Sequence, residues 1–113
     1  MESKMNRDKL LPDQQNQLLF MMLIQQHEQI AMMGLGKIKN PASGNIERDL
    51  SSAKFAIDTL NMLQVYTEGN LGKELKQFLD QTLTNLRLNY ADEKKKGGGE
   101  APKPEEDGSE KEN

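Results

Sequence analysis

The sequence predicts an all-α fold: a small three-helix bundle of antiparallel helical hairpins with a disordered, charged C-terminal tail. Apolar residues recur at spacings of three and four in three separate stretches, the period of a helix with one buried face. Glycine-bearing turn signals divide those stretches, and no run alternates with the period of two that a strand requires.

The elements follow in chain order. Residues 1–12 read as a flexible N-terminal segment, and the helical domain as 13–93. Pro12-Asp13 is a helix-entry signal, since proline tolerates the first turn and an acidic residue complements the helix dipole there. The first helix is predicted over 13–33, ending at Gly34-Leu35-Gly36, whose glycines permit positive φ. Phe20, Leu23, Ile24, Ile30 and Ala31 share one face, and Leu18, Met21, Met22, Met32 and Met33 form a second strip beside it. Asn40-Pro41-Ala42-Ser43-Gly44 is a turn signature. Asn45 then reads as the N-cap of a second helix over 46–66, with Glu47 and Asp49 in its first turn. Its main face is Ile46, Leu50, Ala53, Ile57, Leu60 and Leu63; Phe55, Met62 and Tyr66 form another. Gly69 suits the end of that helix, and a loop this short allows only antiparallel neighbours. Asn70 or Gly72 caps a third helix over 73–93, with Leu75, Phe78, Leu79, Thr82, Leu83, Leu86 and Tyr90 facing the core. Beyond it, residues 94–113 hold Gly97-Gly98-Gly99 and then mostly acidic residues, with no apolar side chain larger than alanine, so burial cannot offset the entropy of ordering them.

Three of these stretches, taken together, carry a resemblance. They are Met32-Met33-Gly34-Leu35-Gly36 with the Asn40-Pro41 to Gly44 turn; Glu47-Arg48-Asp49-Leu50 leading to Ala53-Lys54, Ile57-Asp58, Leu60 and Met62-Leu63; and Gly69-Asn70-Leu71 followed by Leu83, Leu86-Arg87 and Tyr90. From Leu18 to Asp92 the pattern resembles the bacterial family known as domain of unknown function 1844. Where that family often carries Thr-Pro before the third helix, this chain carries Gly72-Lys73. The resemblance implies a compact helical protein, and it supplies no activity, cofactor or catalytic residue to carry over.

Composition narrows the chemistry. Residues 1–91 hold ten acidic and ten basic side chains, so the net charge of -3 belongs to residues 92–113, with eight acidic and five basic. A neutral body does not track phosphates, and nucleic acid is not an expected partner; Lys37 with Lys39 and Lys94-Lys95-Lys96 read as solvated groupings. With no cysteine there is no disulfide, thiolate nucleophile or cysteine-ligated metal, and the cytoplasm is the expected location. The segment Met1 to Lys9 mixes both signs and lacks an apolar stretch, so no secretory signal is expected. The longest apolar run, Leu18 to Ile24, falls short of the roughly 18 residues that a membrane span needs.

His27 is the only histidine and lies in line with the first apolar face. Its neighbours at three and four positions are Leu23, Ile24, Ile30 and Ala31, which cannot ligate a metal. A half-buried structural histidine is the leading reading, ahead of a pH-sensitive contact or a ligand. Ser43, Ser51 and Ser52 lack a nucleophile-elbow setting, and Glu47, Asp49 and Asp58 are not brought together by spacing. No catalytic, cofactor-binding or metal-binding residue is therefore expected, and the chain reads as not an enzyme.

What remains is an excess of apolar surface. A bundle of three helices buries one stripe from each, and small scaffolds without disulfides or metal commonly associate. The expected interface comprises Phe20, Met21, Met22 and Ile24 on the first helix with Phe55, Met62 and Tyr66 on the second, and the expected role is an assembly module that forms a homo-oligomer, a dimer, or takes an unidentified protein partner. A first helix flanked on both sides within a monomer is the competing reading. A peripheral membrane or lipid-facing protein is the alternative function, set back by a glutamine-rich polar side on the first helix; a small enzyme or ligand binder is the second.

Overall fold

The computed structural model describes residues 11–97. Three helices make up the domain: α1 (Pro12–Gly34), α2 (Leu50–Tyr66) and α3 (Lys73–Lys96). Among the described residues there is no strand, and a single antiparallel bridge joins Asn40 to Asn45. The second helix packs against both others, while α1 and α3 touch each other least. The N-terminal segment and the tail expected to be disordered fall largely at residues 1–10 and 98–113, outside the described residues.

The start of α1 uses Pro12 in the first helical position, where a missing N–H costs nothing. The Leu11 N–H donates to Gln14 Oε1 at 3.1 Å, satisfying one of the orphan donors at that end. At the other end Gly34 is the last helical residue and does not turn the chain itself; the positive φ, 79°, falls at Gly36. Gly34 is glycine because of space. A Cβ there would sit 2.7 Å from the Asp49 carbonyl oxygen and 2.8 Å from the Ala53 nitrogen, both backbone atoms of the next element. The Asp49 N–H donates to the Gly34 carbonyl at 2.8 Å, so the end of α1 and the start of α2 are in backbone contact.

Helix α2 begins four residues later than the pattern of apolar residues suggests. Asn45 does not cap it: Asn45 accepts a backbone hydrogen bond from Asn40 at 2.8 Å and closes the turn that Asn40, Pro41 and Gly44 signal. The N-cap is Asp49, whose carboxylate accepts from the Ser51 N–H at 3.1 Å and the Ser52 N–H at 3.4 Å, and from both serine hydroxyls. Those bonds, led by the Ser51 hydroxyl, hold the Asp49 carboxyl below its usual range. Ile46 consequently precedes the helix and is 51% exposed, outside the core face expected for it. The third helix starts at Lys73 with Gly72 as its cap and runs one turn beyond Glu93, so residues 94–96 of the expected tail are helical. Their three lysines complement the negative end of the helix dipole.

The core lies where the three faces meet. Ile24, Leu35, Leu60, Leu79, Leu83 and Leu86 are its largest fully enclosed side chains, with Ala31, Ala53 and Ala56 buried among them. Phe20, Met32, Leu63, Leu71, Phe78 and Tyr90 pack around it. Polar side chains also cross between α2 and α3: Gln64 Nε2 donates to Asp80 Oδ1 at 2.7 Å and Arg87 Nη2 to Asn61 Oδ1 at 2.6 Å.

Two substitutions separate crowding from cavity formation. Gly34→Ala is predicted to destabilise the domain by about 1–3 kcal/mol, because the atoms in its way are backbone and cannot rotate aside. Leu60→Ala should cost about 2–5 kcal/mol through lost burial and an unfilled void. Urea unfolding followed by circular dichroism measures both; an unchanged midpoint for Gly34→Ala would show that α1 can retreat from α2 at little cost.

Candidate functional site: a charge clasp and an outward apolar strip

Two features stand out from an otherwise ordinary bundle. The first is a carboxylate inside it. Glu93 is 5% exposed, on the core-facing side of α3 one turn past Tyr90 and Asn89. Three cations from three segments reach it. Arg48, in the non-helical stretch before α2, donates from Nε to Glu93 Oε1 at 2.9 Å. Lys37, just past the end of α1, donates to Oε2 at 3.1 Å, and Lys96 donates to the same oxygen at 2.9 Å. The Arg48 Nη2 group also donates to the backbone carbonyls of Glu93 at 2.9 Å and Gly97 at 3.3 Å, satisfying acceptors at the end of α3 that the helix leaves unpaired. Gly36 lies against this arginine, and a Cβ there would come within 3.4 Å of its side chain.

The hydrogen bonds from Lys96, then Lys37 and Arg48, outweigh the effect of burial and pull the Glu93 carboxyl down to about 2. A carboxylate held that low stays ionised at neutral pH and is poorly matched to proton transfer there. The cluster binds segments of the chain together; nothing about its protonation suits it to acid or base chemistry. Among the described residues no group of three or more His, Asp or Glu side chains could hold a metal ion, and no helix is long and apolar enough to cross a membrane.

The second feature is on α2. At 3.6 residues per turn, Phe55, Met62 and Tyr66 fall within about 40° of one another around the helix, directly opposite Ala53, Ile57 and Leu60 in the core. Phe55 is 73% exposed, Tyr66 81%, Met62 41% and the adjacent Val65 58%. Among the described residues, nothing covers this apolar strip, which faces away from the core.

The interface expected from sequence therefore divides between the two helices. Phe55, Met62 and Tyr66 are brought together at the surface. On α1, Ile24 is wholly enclosed within the core cluster and cannot belong to any surface face. Phe20 packs against that core, Met22 is half-buried, and Met21 is only marginally exposed. Ile30, placed by spacing on the buried face, is instead 40% exposed. His27 is half-buried, and its Nδ1 lies 3.0 Å from the Leu23 carbonyl oxygen, which can only accept, so the ring donates back to its own helix. Sequence reasoning missed the Glu93 clasp. The available signals were Arg48 and Lys37 flanking the α1–α2 connection and a glutamate in register with Leu79, Leu83, Leu86 and Tyr90, three residues that come together only once the helices are packed.

A family model described as a domain of unknown function (DUF1844) matches residues 17–92. Neither a curated protein nor a solved structure matches the chain. The matched span covers all of α2, most of α1 and α3, and Lys37 and Arg48 of the clasp, and it stops one residue short of Glu93.

The clasp predicts a pH dependence of defined sign. Because the folded-state pKa of Glu93 lies below its unfolded value near 4.5, the unfolded chain takes up the proton first as pH falls. The stabilisation is therefore complete above about pH 4.5 and drains away as pH drops toward about 2. Glu93→Gln should lower stability at pH 7 and flatten the acid limb of the stability curve. Urea midpoints measured between pH 2 and pH 7 check this; superimposable curves for the two proteins would contradict it.

Proposed function

Since the chain belongs to the DUF1844 family, for which no activity is described, we propose a role from its own surface: a non-catalytic assembly module that associates with itself through the outward face of α2. The observation that carries this reading is the position of Phe55, Met62 and Tyr66 opposite the core, with two aromatic rings mostly in water. Scattered exposed apolar residues are ordinary; an aligned strip containing two aromatics is the composition of an interface centre. The adaptable methionine in its middle fits a surface that packs against another chain.

The strip is flanked by Lys54 and Asp58, bonded to each other at 2.6 Å, and not by the row of cations that fixes an interfacial helix to anionic lipid. That favours a protein partner over a bilayer. We place the module in the cytoplasm, where a chain without cysteine needs no oxidising partner to fold.

Sedimentation velocity over a concentration series tests the proposal. The wild-type chain should shift from monomer toward dimer as concentration rises through the micromolar range, and Phe55→Ser with Tyr66→Ser should remain monomeric with unchanged helicity, since both side chains are solvent-exposed. A wild-type chain that sediments as a monomer at every concentration would overturn the proposal.

A further inference from the structure

We infer that the acidic C-terminal tail of this chain, residues 98–113, returns to the clasp at the end of α3 and brings further carboxylates to its cations. The site is short of negative charge. Lys37, Arg48 and Lys96 bring three positive charges to the single carboxylate of Glu93. Lys37 and Lys96 share one of its oxygens and stay partly in water, their side chains 31% and 59% exposed. An ammonium carries three N–H groups, and each of these spends one on Glu93 Oε2, so both keep donors for another acceptor. Lys94 and Lys95, on the same last turn of α3, make no ion pair among the described residues. The carboxylates that adjoin the clasp in sequence do not balance this excess. Glu47 accepts from Asn40, Asp49 is spent on the serines that cap α2, and Asp92 is exposed and bonded to none of the cations.

The tail has the opposite charge and starts at this point. Residues 98–113 hold six acidic and two basic side chains, a net of -4, whereas residues 11–97 hold ten of each sign. Arg48 Nη2 donates to the Gly97 carbonyl at 3.3 Å, so the residue from which the tail departs lies on the clasp itself. Gly97 has φ 82°, the left-handed conformation that ends α3 and turns the chain off the helix axis. Only Gly98 and Gly99 separate it from Glu100, a span of at most about 10 Å when fully extended. That is close to one Debye length at roughly 0.1 M salt, so the first tail carboxylate starts within the field of these cations. Glu105-Glu106-Asp107 follow five residues later. The contact needs charge and reach, and no buried apolar surface, which the tail cannot supply. Tethering by a short glycine linker gives an effective concentration in the millimolar range, enough for exposed ion pairs too weak to join separate molecules.

The cysteine-free chain allows a direct test, because an introduced cysteine is the only thiol present and can carry a nitroxide label. In the full-length chain Ser109→Cys places the label beyond Glu105-Glu106-Asp107. Two tails of equal length are compared: the native one, and one neutralised by Glu100→Gln, Glu105→Gln, Glu106→Gln and Asp107→Asn. At low salt the native tail should broaden the amide resonances of Lys37 and Arg48 and leave those of Gly69 and Leu71, at the other end of α3, sharp. Neutralisation should reduce the broadening about two- to five-fold, the worth of an exposed ion pair. Sodium chloride at about 1 M, where the Debye length falls to about 3 Å, should do the same to the native tail. Equal broadening from the two tails, or broadening indifferent to salt, would overturn the proposal, because either is the signature of a tethered chain that passes the clasp without binding it.

Discussion

The arrangement of this domain depends on how closely the end of α1 approaches the start of α2. With no side chain at Gly34, the two backbones meet at hydrogen-bond distance, and Ala53 sits directly against the glycine. That contact determines where everything after it goes. It turns the inner face of α2 toward Ile24 and the leucines of α3, and by the geometry of a helix it turns Phe55, Met62 and Tyr66 the other way. It also leaves residues 46–49 outside any helix, the segment from which Arg48 reaches α3.

Electrostatics completes what packing begins. A single glutamate inside a small domain would be costly to leave alone, and three cations from separate parts of the chain meet it. Arg48 bridges furthest, because its planar group serves a carboxylate oxygen and two backbone carbonyls at once, which a lysine could not do. The connection after α1, the approach to α2 and the end of α3 are thereby tied at one point. The exposed pairs Lys54–Asp58 and Lys76–Asp80 are of a different kind: each lies within one helix, screened by water, and ties no segments together.

The three helices and nearly all of the core were legible in the sequence, since period and glycine punctuation report directly on burial. The third helix was most legible: every residue on its predicted stripe, from Leu75 to Tyr90, is buried or packs on the core. The start of α2 was not, because Ile46 continues the apolar spacing while the actual cap depends on Asp49 finding two serines, a local competition that periodicity does not register. The first helix was ambiguous for another reason. Apolar on most of its circumference, it offers no contrast from which to tell Ile24, wholly enclosed, from Ile30, largely outside. In sequence Gly34 has the place of a turn residue, while its role is clearance, a distinction that only the neighbouring helix supplies. Half of the candidate face, the half on α2, was readable because Phe55, Met62 and Tyr66 stand apart from the main stripe by half a turn.

Function in this account follows from a surplus. The inner face of α2 is consumed by two helices, its ends are fixed by the Gly34 contact and by the bonds to α3, and its outer face retains apolar area that no other described residue covers. Tyrosine offers the most local probe of that claim, because the chain has two, Tyr66 on the outward strip and Tyr90 against the core, and no tryptophan. With fluorine-labelled tyrosine, the resonance of Tyr66 should move as the protein is diluted from millimolar to low micromolar concentration, while that of Tyr90 stays in place. Two resonances that both hold their positions across that range would contradict the claim that the outward strip of α2 is a buried surface in waiting.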